Sequence, residues 1–250
     1  MSTPTSKAGL LVLILALPGC FGSLGGAGGG NPLAGMADPM VAVTSDNIVV
    51  EGPPGFCVDP SATRQSGDTG FVLLGNCAAI SNSRRDAQPA VPAVLTAAIS
   101  GPGQTDRIAD NLGGMEAFFR SAEGRELLSR SGRADAVTVL ETGISGDAFL
   151  LHAEDRSAGA IDGVQSDYWR AYLDVGNRIA TLSVLGLEGQ ALSPAQSQNT
   201  LNAFIAAVER ANSAPMADRP PPAPAEPPRA APSGGGGQLW NIGLFRRILG

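Results

Sequence analysis

The 250-residue chain contains one lysine, Lys7, one histidine, His152, and three cysteines, Cys20, Cys57 and Cys77. Each scarcity excludes a kind of chemistry. A phosphate-binding GxxxxGK[ST] loop needs its lysine, and Schiff-base and Ser-Lys mechanisms need a lysine of depressed pKa. Lys7 lies in a segment that reads as a cleaved leader, so the mature chain has none to offer. One histidine cannot supply the three or four His or Cys ligands that zinc sites usually take. No serine stands in a GxSxG setting, so a nucleophile elbow is not signalled. Neither a metal nor an organic cofactor is expected. Acidic groups outnumber basic ones, 23 to 17, for a net charge of −6. A phosphate backbone repels such a surface, and nucleic acid is not an expected partner.

What is present begins with length. A chain of 250 residues suits one well-buried core, and its 33 Gly and 19 Pro sit mostly near the two ends. Residues 1–19 have a polar start with Lys7, an apolar stretch over 8–17 relieved only by Gly9, and a small-residue exit. The stretch is too short for a permanent span, which needs roughly 20 apolar residues, and it reads as a signal peptide. Its exit, Leu17-Pro18-Gly19-Cys20, resembles the bacterial lipobox, with an aliphatic residue three before the cysteine and a small one just before it. Pro18 departs from the small or β-branched residue usual between them. The resemblance implies that Cys20 is lipidated on sulfur, exposed by cleavage and acylated on its new amino group. More than one acyl chain makes such attachment stable, because each buried methylene adds about 0.8 kcal/mol. Phe21, not Asp, follows Cys20, which resembles enteric lipoproteins passed to the outer membrane. The expected location is the periplasmic side of the cell envelope, outer membrane favoured over inner.

Residues 20–44 are glycine-rich and read as a flexible tether. Residues 214–238 carry PPPAPAEPPRAAP followed by SGGGG, a spacer with little apolar surface and few backbone donors. Between them, 45–213 form the expected domain. Its β-rich runs are 47–58 and 70–79, joined by a polar loop over 60–69, and 93–100. Helical spacing covers 112–129, where Gly124 allows a kink or a break. Two hairpins follow, 136–142 with 148–154 across the turn GISGD, and 168–175 with 179–186. A helix over 193–212 is marked by Ser193 as cap, Pro194 in the first turn, Gln196 completing an S-x-x-Q box, and a stripe of Leu201, Phe204, Ile205 and Val208. The order β-β-β-α-β-β-β-β-α predicts an α+β fold, an antiparallel sheet packed by helices. In element order it resembles the Mog1/PsbP-like α/β/α sandwich. The segments GFCVD (55–59) and FVLLGNCA (71–78) are similar to a pair found in poorly characterised proteobacterial lipoproteins. Neither likeness carries catalytic residues. Mog1/PsbP relatives mostly bind other proteins, and the resemblance implies binding here.

Few residues offer chemistry. With Cys20 lipidated, Cys57 and Cys77 remain as an even pair, which beyond the inner membrane predicts a disulfide joining the first two strands. A redox role lacks CxxC spacing and an adjacent cation. His152 and Glu154 share a strand face, as a polar face near a turn or, in principle, as a pair sharing a metal or proton. Asp106, Asp110, Glu123, Glu126 and Asp135 read as solvated charge. A carboxylate pair needs only to meet in space, so an envelope hydrolase is the alternative function. Tyr168, Trp169 and Tyr172 read as core packing, with Tyr168, Arg170 and Tyr172 as a possible binding face. The last twelve residues, LWNIGLFRRILG, are abruptly apolar. Leu239, Trp240, Ile242, Phe245, Arg246, Arg247 and Leu249 are the candidate partner-binding residues, in a groove, at an anionic lipid surface or back on the domain itself. The function expected is a lipid-anchored binding or assembly module for an envelope partner.

Overall fold

The computed structural model describes residues 36–103, 107–157 and 163–213. Their strands are β1 (Met40–Val43), β2 (Ile48–Glu51), β3 (Phe56–Val58), β4 (Arg64–Ser66), β5 (Thr69–Asn76), β6 (Ala93–Ile99), β7 (Val137–Ser145), β8 (Ala148–Asp155), β9 (Val164–Val175) and β10 (Arg178–Leu187). The helices are α1 (Cys77–Ile80), α2 (Leu112–Arg120), α3 (Ala122–Leu128) and α4 (Pro194–Ser213). β1 and β2 form a separate hairpin. The other strands make one antiparallel sheet in the order β3-β5-β6-β10-β9-β8-β7, with β4 paired to β5. The fold is α+β, an antiparallel sheet packed by helices.

Strand alternation distributes the apolar side chains to two cores. On one face Leu74, Leu95, Trp169 and Leu182 meet Val43 and Val50 of the β1–β2 hairpin and Leu201, Phe204, Ile205 and Val208 of α4. On the other, Phe149, Leu151 and Tyr172 meet Met115 and Phe119 of α2 and Leu128 of α3. Phe119 stacks on Tyr172 at 4.9 Å and on Phe149 at 5.8 Å. Fully burying a side chain of this size contributes about 1.5 to 3 kcal/mol, so these anchors fix where the helices lie. α4 begins as its capping box requires: Ser193 Oγ accepts from Gln196 N–H at 3.3 Å, and Gln196 Oε1 accepts from Ser193 N–H at 3.0 Å. At its other end the Asn212 amide pairs with both backbone groups of Val49, joining helix to hairpin.

Several features depart from the sequence expectation or refine it. Residues 40–43, assigned to the tether, form β1, with Ala42 and Val43 fully buried, so the folded domain begins before residue 45. The 47–58 run is broken into β2 and β3 at Pro53-Pro54-Gly55, where Gly55 has φ +87° and a Cβ would lie 2.4 Å from the Gln88 carbonyl carbon. The polar loop over 60–69 contains β4, and the 70–79 run ends at Asn76, whose Oδ1 caps α1 by accepting from Ala78 N–H at 2.9 Å. The 112–129 helix is two helices divided at Ser121, which is extended (ψ 167°) and caps α3 through Oγ.

Gly124 serves that division by close approach, not by bending. A Cβ there would lie 2.1 Å from the Phe118 carbonyl oxygen. Gly to Ala in a helix interior ordinarily stabilises by about 1 kcal/mol. Gly124→Ala is expected to do the reverse and cost about 1 to 3 kcal/mol, because α3 must shift off α2. Urea unfolding checks the sign.

A buried polar latch closes one end of the sheet. Arg178, whose side chain is 1% exposed, donates through Nε to both Asp46 oxygens at 2.8 and 2.9 Å, and through Nη1 to the Asp68 carbonyl and to the Ser100 carbonyl at 2.8 Å. It thereby ties the β1–β2 turn, the β4–β5 turn, the end of β6 and the start of β10 together.

Candidate functional site

Cys57 lies in β3 opposite Gly75, and Cys77 opens α1 one residue beyond β5. Their sulfurs are bonded, with 4.8 Å between Cα atoms. The predicted disulfide is present, and it joins β3 to the helix after β5 instead of strand to strand. Both cysteines are buried.

On β9 the alternation separates three aromatic residues. Trp169 faces the α4 core, whereas Tyr168 and Tyr172 face the core under α2 and α3, and all three are at most 3% exposed. They are core residues, as the packing reading expects, not an exposed surface. Arg170 shares the tyrosine face and is only half buried. Its Nε donates to Ser183 Oγ at 2.9 Å and its guanidinium lies 4.8 Å from the Tyr168 ring centre. The hydroxyls of Tyr168 and Tyr172 are buried and make no hydrogen bond of normal geometry. Burial pushes the Tyr168 phenol up to about 12. Burial also raises Tyr172, against the opposing charge of Arg170.

His152 stacks on Trp169, with ring centres 4.8 Å apart and planes 8° from parallel, and its Nε2 lies 3.3 Å from Asp167 Oδ2. Glu154 turns instead to Arg156. The predicted His152 and Glu154 face therefore holds two separate pairs. Among the described residues no group of three His, Cys, Asp or Glu side chains is placed to hold a metal. Asp110, Glu123, Glu126 and Asp135 are exposed, and Asp106 lies outside the described residues. A general acid needs a raised carboxyl. The displaced carboxyls here go the other way: Thr142 and then Arg120 lower Glu116, Arg133 lowers Asp135, and Arg156 lowers Glu154.

The sheet's two edges differ. At one, β3 is three residues long and Val58 N–H donates to the Asp38 carbonyl at 2.8 Å, so the preceding chain shields it. At the other, β7 is nine residues long and no described strand pairs with its outer side. A bulge between Val139 and Glu141 interrupts it, after which Glu141–Ser145 run in regular register. Leu140 is 47% exposed and Ile144 60%. The turn signal GISGD hides this edge in the sequence, because the strand continues through Ile144 and Ser145 and the hairpin closes on Gly146-Asp147 alone.

Cys20, the linker 214–238 and the peptide carrying Leu239, Trp240, Ile242, Phe245, Arg246, Arg247 and Leu249 lie outside the described residues. Among the described residues no helix is long and apolar enough to cross a membrane. No protein-family model matches the chain, and no curated protein matches it.

Proposed function

We propose that this is a lipid-anchored binding module of the cell envelope, held by Cys20 and engaging an envelope protein through the outer edge of β7. The observation that carries the reading is that edge: unpaired among the described strands, with a regular stretch from Glu141 to Ser145 and two large exposed apolar side chains. Long unprotected edges invite a further strand, and proteins that do not use them cover, shorten or charge them. The β3 edge is protected in that way. The occupant that fits β7 is an extended segment of the partner added antiparallel or parallel as a strand, with backbone hydrogen bonds giving affinity and apolar residues meeting Leu140 and Ile144. The lipobox-like Leu17-Pro18-Gly19-Cys20 and the Cys57–Cys77 disulfide support an extracytoplasmic location. The apolar peptide at 239–250 supplies a second contact on the same partner.

The test is a pair of variants in cells. Cys20→Ser is expected to move the protein from the membrane to the soluble fraction. Leu140→Lys with Ile144→Lys is expected to leave folding stability within about 0.5 kcal/mol per site, as surface changes do, while abolishing copurification of the partner. Tight membrane association of Cys20→Ser, or undiminished copurification with the double variant, contradicts the reading.

A further inference from the structure

The two faces of β7 offer an added strand different chemistry. The register places Thr142 opposite Leu151 and Ile144 opposite Phe149, on the face packed by α2 and α3. It places Glu141, Gly143 and Ser145 opposite His152, Leu150 and Ala148, on the α4 face. On the first face Thr142 Oγ1 donates to Glu116 Oε1 at 2.9 Å and accepts from Arg120 Nη2 at 3.2 Å. Ile144, two residues on, is exposed. On the second face α4 packs against β2, β9 and β10, and Glu141 at the sheet edge is exposed. His152, its cross-strand neighbour, is held elsewhere, stacked on Trp169 and 3.3 Å from Asp167. The edge thus presents an apolar side chain on one face and a carboxylate on the other.

Between Glu141 and Ser145 stands Gly143, and the fold of the described residues does not require a glycine there. Its φ is not positive, and a Cβ would meet Leu150 Cβ at 4.0 Å, an ordinary contact. Gly70 in β5 differs, since a Cβ there would meet Val43 at 2.8 Å. Glycine inside a strand weakens it and often marks a place where another backbone or a ligand comes close. A strand added to β7 would lie about 4.8 Å away. Its residue opposite Gly143 would have Glu141 as diagonal neighbour, about 7 to 8 Å off. That distance is within reach of Lys or Arg, whose stem can lie across the missing side chain.

We infer that the segment accepted by the β7 edge is a cationic strand in which aliphatic residues alternate with Arg or Lys. The aliphatic row lies beside Ile144, and one cation crosses Gly143 onto Glu141. This deepens the β7 reading and rests on it. A period of two sends the two kinds of side chain to opposite faces, so order is selected as well as composition. Arg fits better than Lys, because its planar fork matches a carboxylate bidentately. Glu141 and Gly143 are then the specificity-determining positions. A carboxylate that only guards an edge acts differently, since it discourages every added strand.

The experiment is fluorescence-anisotropy titration of short dye-labelled synthetic peptides with the purified full chain carrying Cys20→Ser, at low salt. The peptides alternate Val with Arg, Val with Gln or Val with Glu, and a fourth holds the valines and arginines in separate blocks. The Val–Arg peptide is expected to bind about three- to fivefold more tightly than Val–Gln, the range of an exposed ion pair. The Val–Glu and blocked peptides are expected not to bind measurably. Glu141→Gln should bring Val–Arg down to the affinity of Val–Gln and leave Val–Gln unchanged. Gly143→Thr should hold or raise the urea midpoint, since threonine suits a strand better, yet weaken Val–Arg at least about threefold. Ile144→Asn should weaken Val–Arg and Val–Gln alike. The inference is overturned by absent Val–Arg binding, by equal affinity for Val–Arg and Val–Gln or for the alternating and blocked peptides, by Glu141→Gln tightening every peptide, or by unchanged Val–Arg binding in Gly143→Thr. Failure of the underlying β7 reading shows separately, as undiminished copurification with Leu140→Lys and Ile144→Lys.

Discussion

Replacing Arg178 by methionine is expected to destabilise the domain by about 3 to 5 kcal/mol, read as a fall in the urea midpoint at unchanged slope. Methionine fills much of the volume but donates nothing. The Ser100 carbonyl, in a buried residue, loses its Arg178 donor, and the turns at Asp46 and Asp68 lose the group that joins them to β10. An orphaned buried acceptor alone costs about 1 to 3 kcal/mol. Arg178→Lys should recover less than half of the loss, because an ammonium cannot reproduce a planar fork shared by three acceptors. The latch also has a pH signature. Burial pushes the Asp46 carboxyl up, but hydrogen bonds from Arg178 and Thr44 and the charge of Arg178 outweigh it, so its folded pKa lies below the ordinary value. A group depressed in the folded state stabilises above its unfolded pKa, about 3.9, and that contribution is lost as pH falls through the folded pKa. The wild type should therefore lose more stability on acidification below about pH 4 than Asp46→Asn does. Parallel acid limbs for the two proteins would show that the carboxylate does not hold the arginine.

Removal of the disulfide is the second large effect. Cys57→Ser with Cys77→Ser is expected to lower stability by about 3 kcal/mol, the entropy of closing a loop with a sequence separation of 20 residues. For a domain of this size that is a fall of roughly 6 to 12 °C in Tm. Reduction of the wild type should reproduce it. The loss is local in origin. β3 has three residues and sits at the sheet edge, yet Phe56 and Val58 belong to the α4-side core. Without the crosslink, amide exchange should rise first in β3 and α1 and last in β9 and β10, which are paired on both sides. A Tm unchanged by reduction would mean that β3 is held by its packing alone.

Legibility in the sequence followed how local each cause is. The start of α4 is set by Ser193 and Gln196, three residues apart, and its buried stripe by a single period, so both can be read along the chain. The strands of the β9–β10 hairpin likewise announce themselves by alternation. β1 does not, because four residues after Pro39 are too few to show a period, and their burial comes from β2 and from Gly70, whose missing Cβ admits Val43. The Arg178 latch joins residues 46, 68, 100 and 178, a set that no spacing rule reveals. At the candidate site, the shared face of Tyr168, Arg170 and Tyr172 was readable. That the two tyrosines are buried while Arg170 stays partly exposed was not, since it depends on where α2 and α3 come to rest. Ile144 was concealed by composition, as glycine, serine and aspartate around it signal a turn that is shorter than they suggest.

The central claim is that the protein holds its partner along the β7 edge, and site-specific photo-crosslinking in intact cells addresses it directly. A photoreactive residue at position 144 is compared with one at 209, where Glu209 is exposed on α4, which packs against β9 and β10 on the opposite face of the sheet. The account predicts one discrete adduct with another protein from position 144, none from 209, and its loss when Leu140→Lys is added. No adduct from 144, equal adducts from both positions, or a crosslink only to the chain's own residues 239–250 would contradict it.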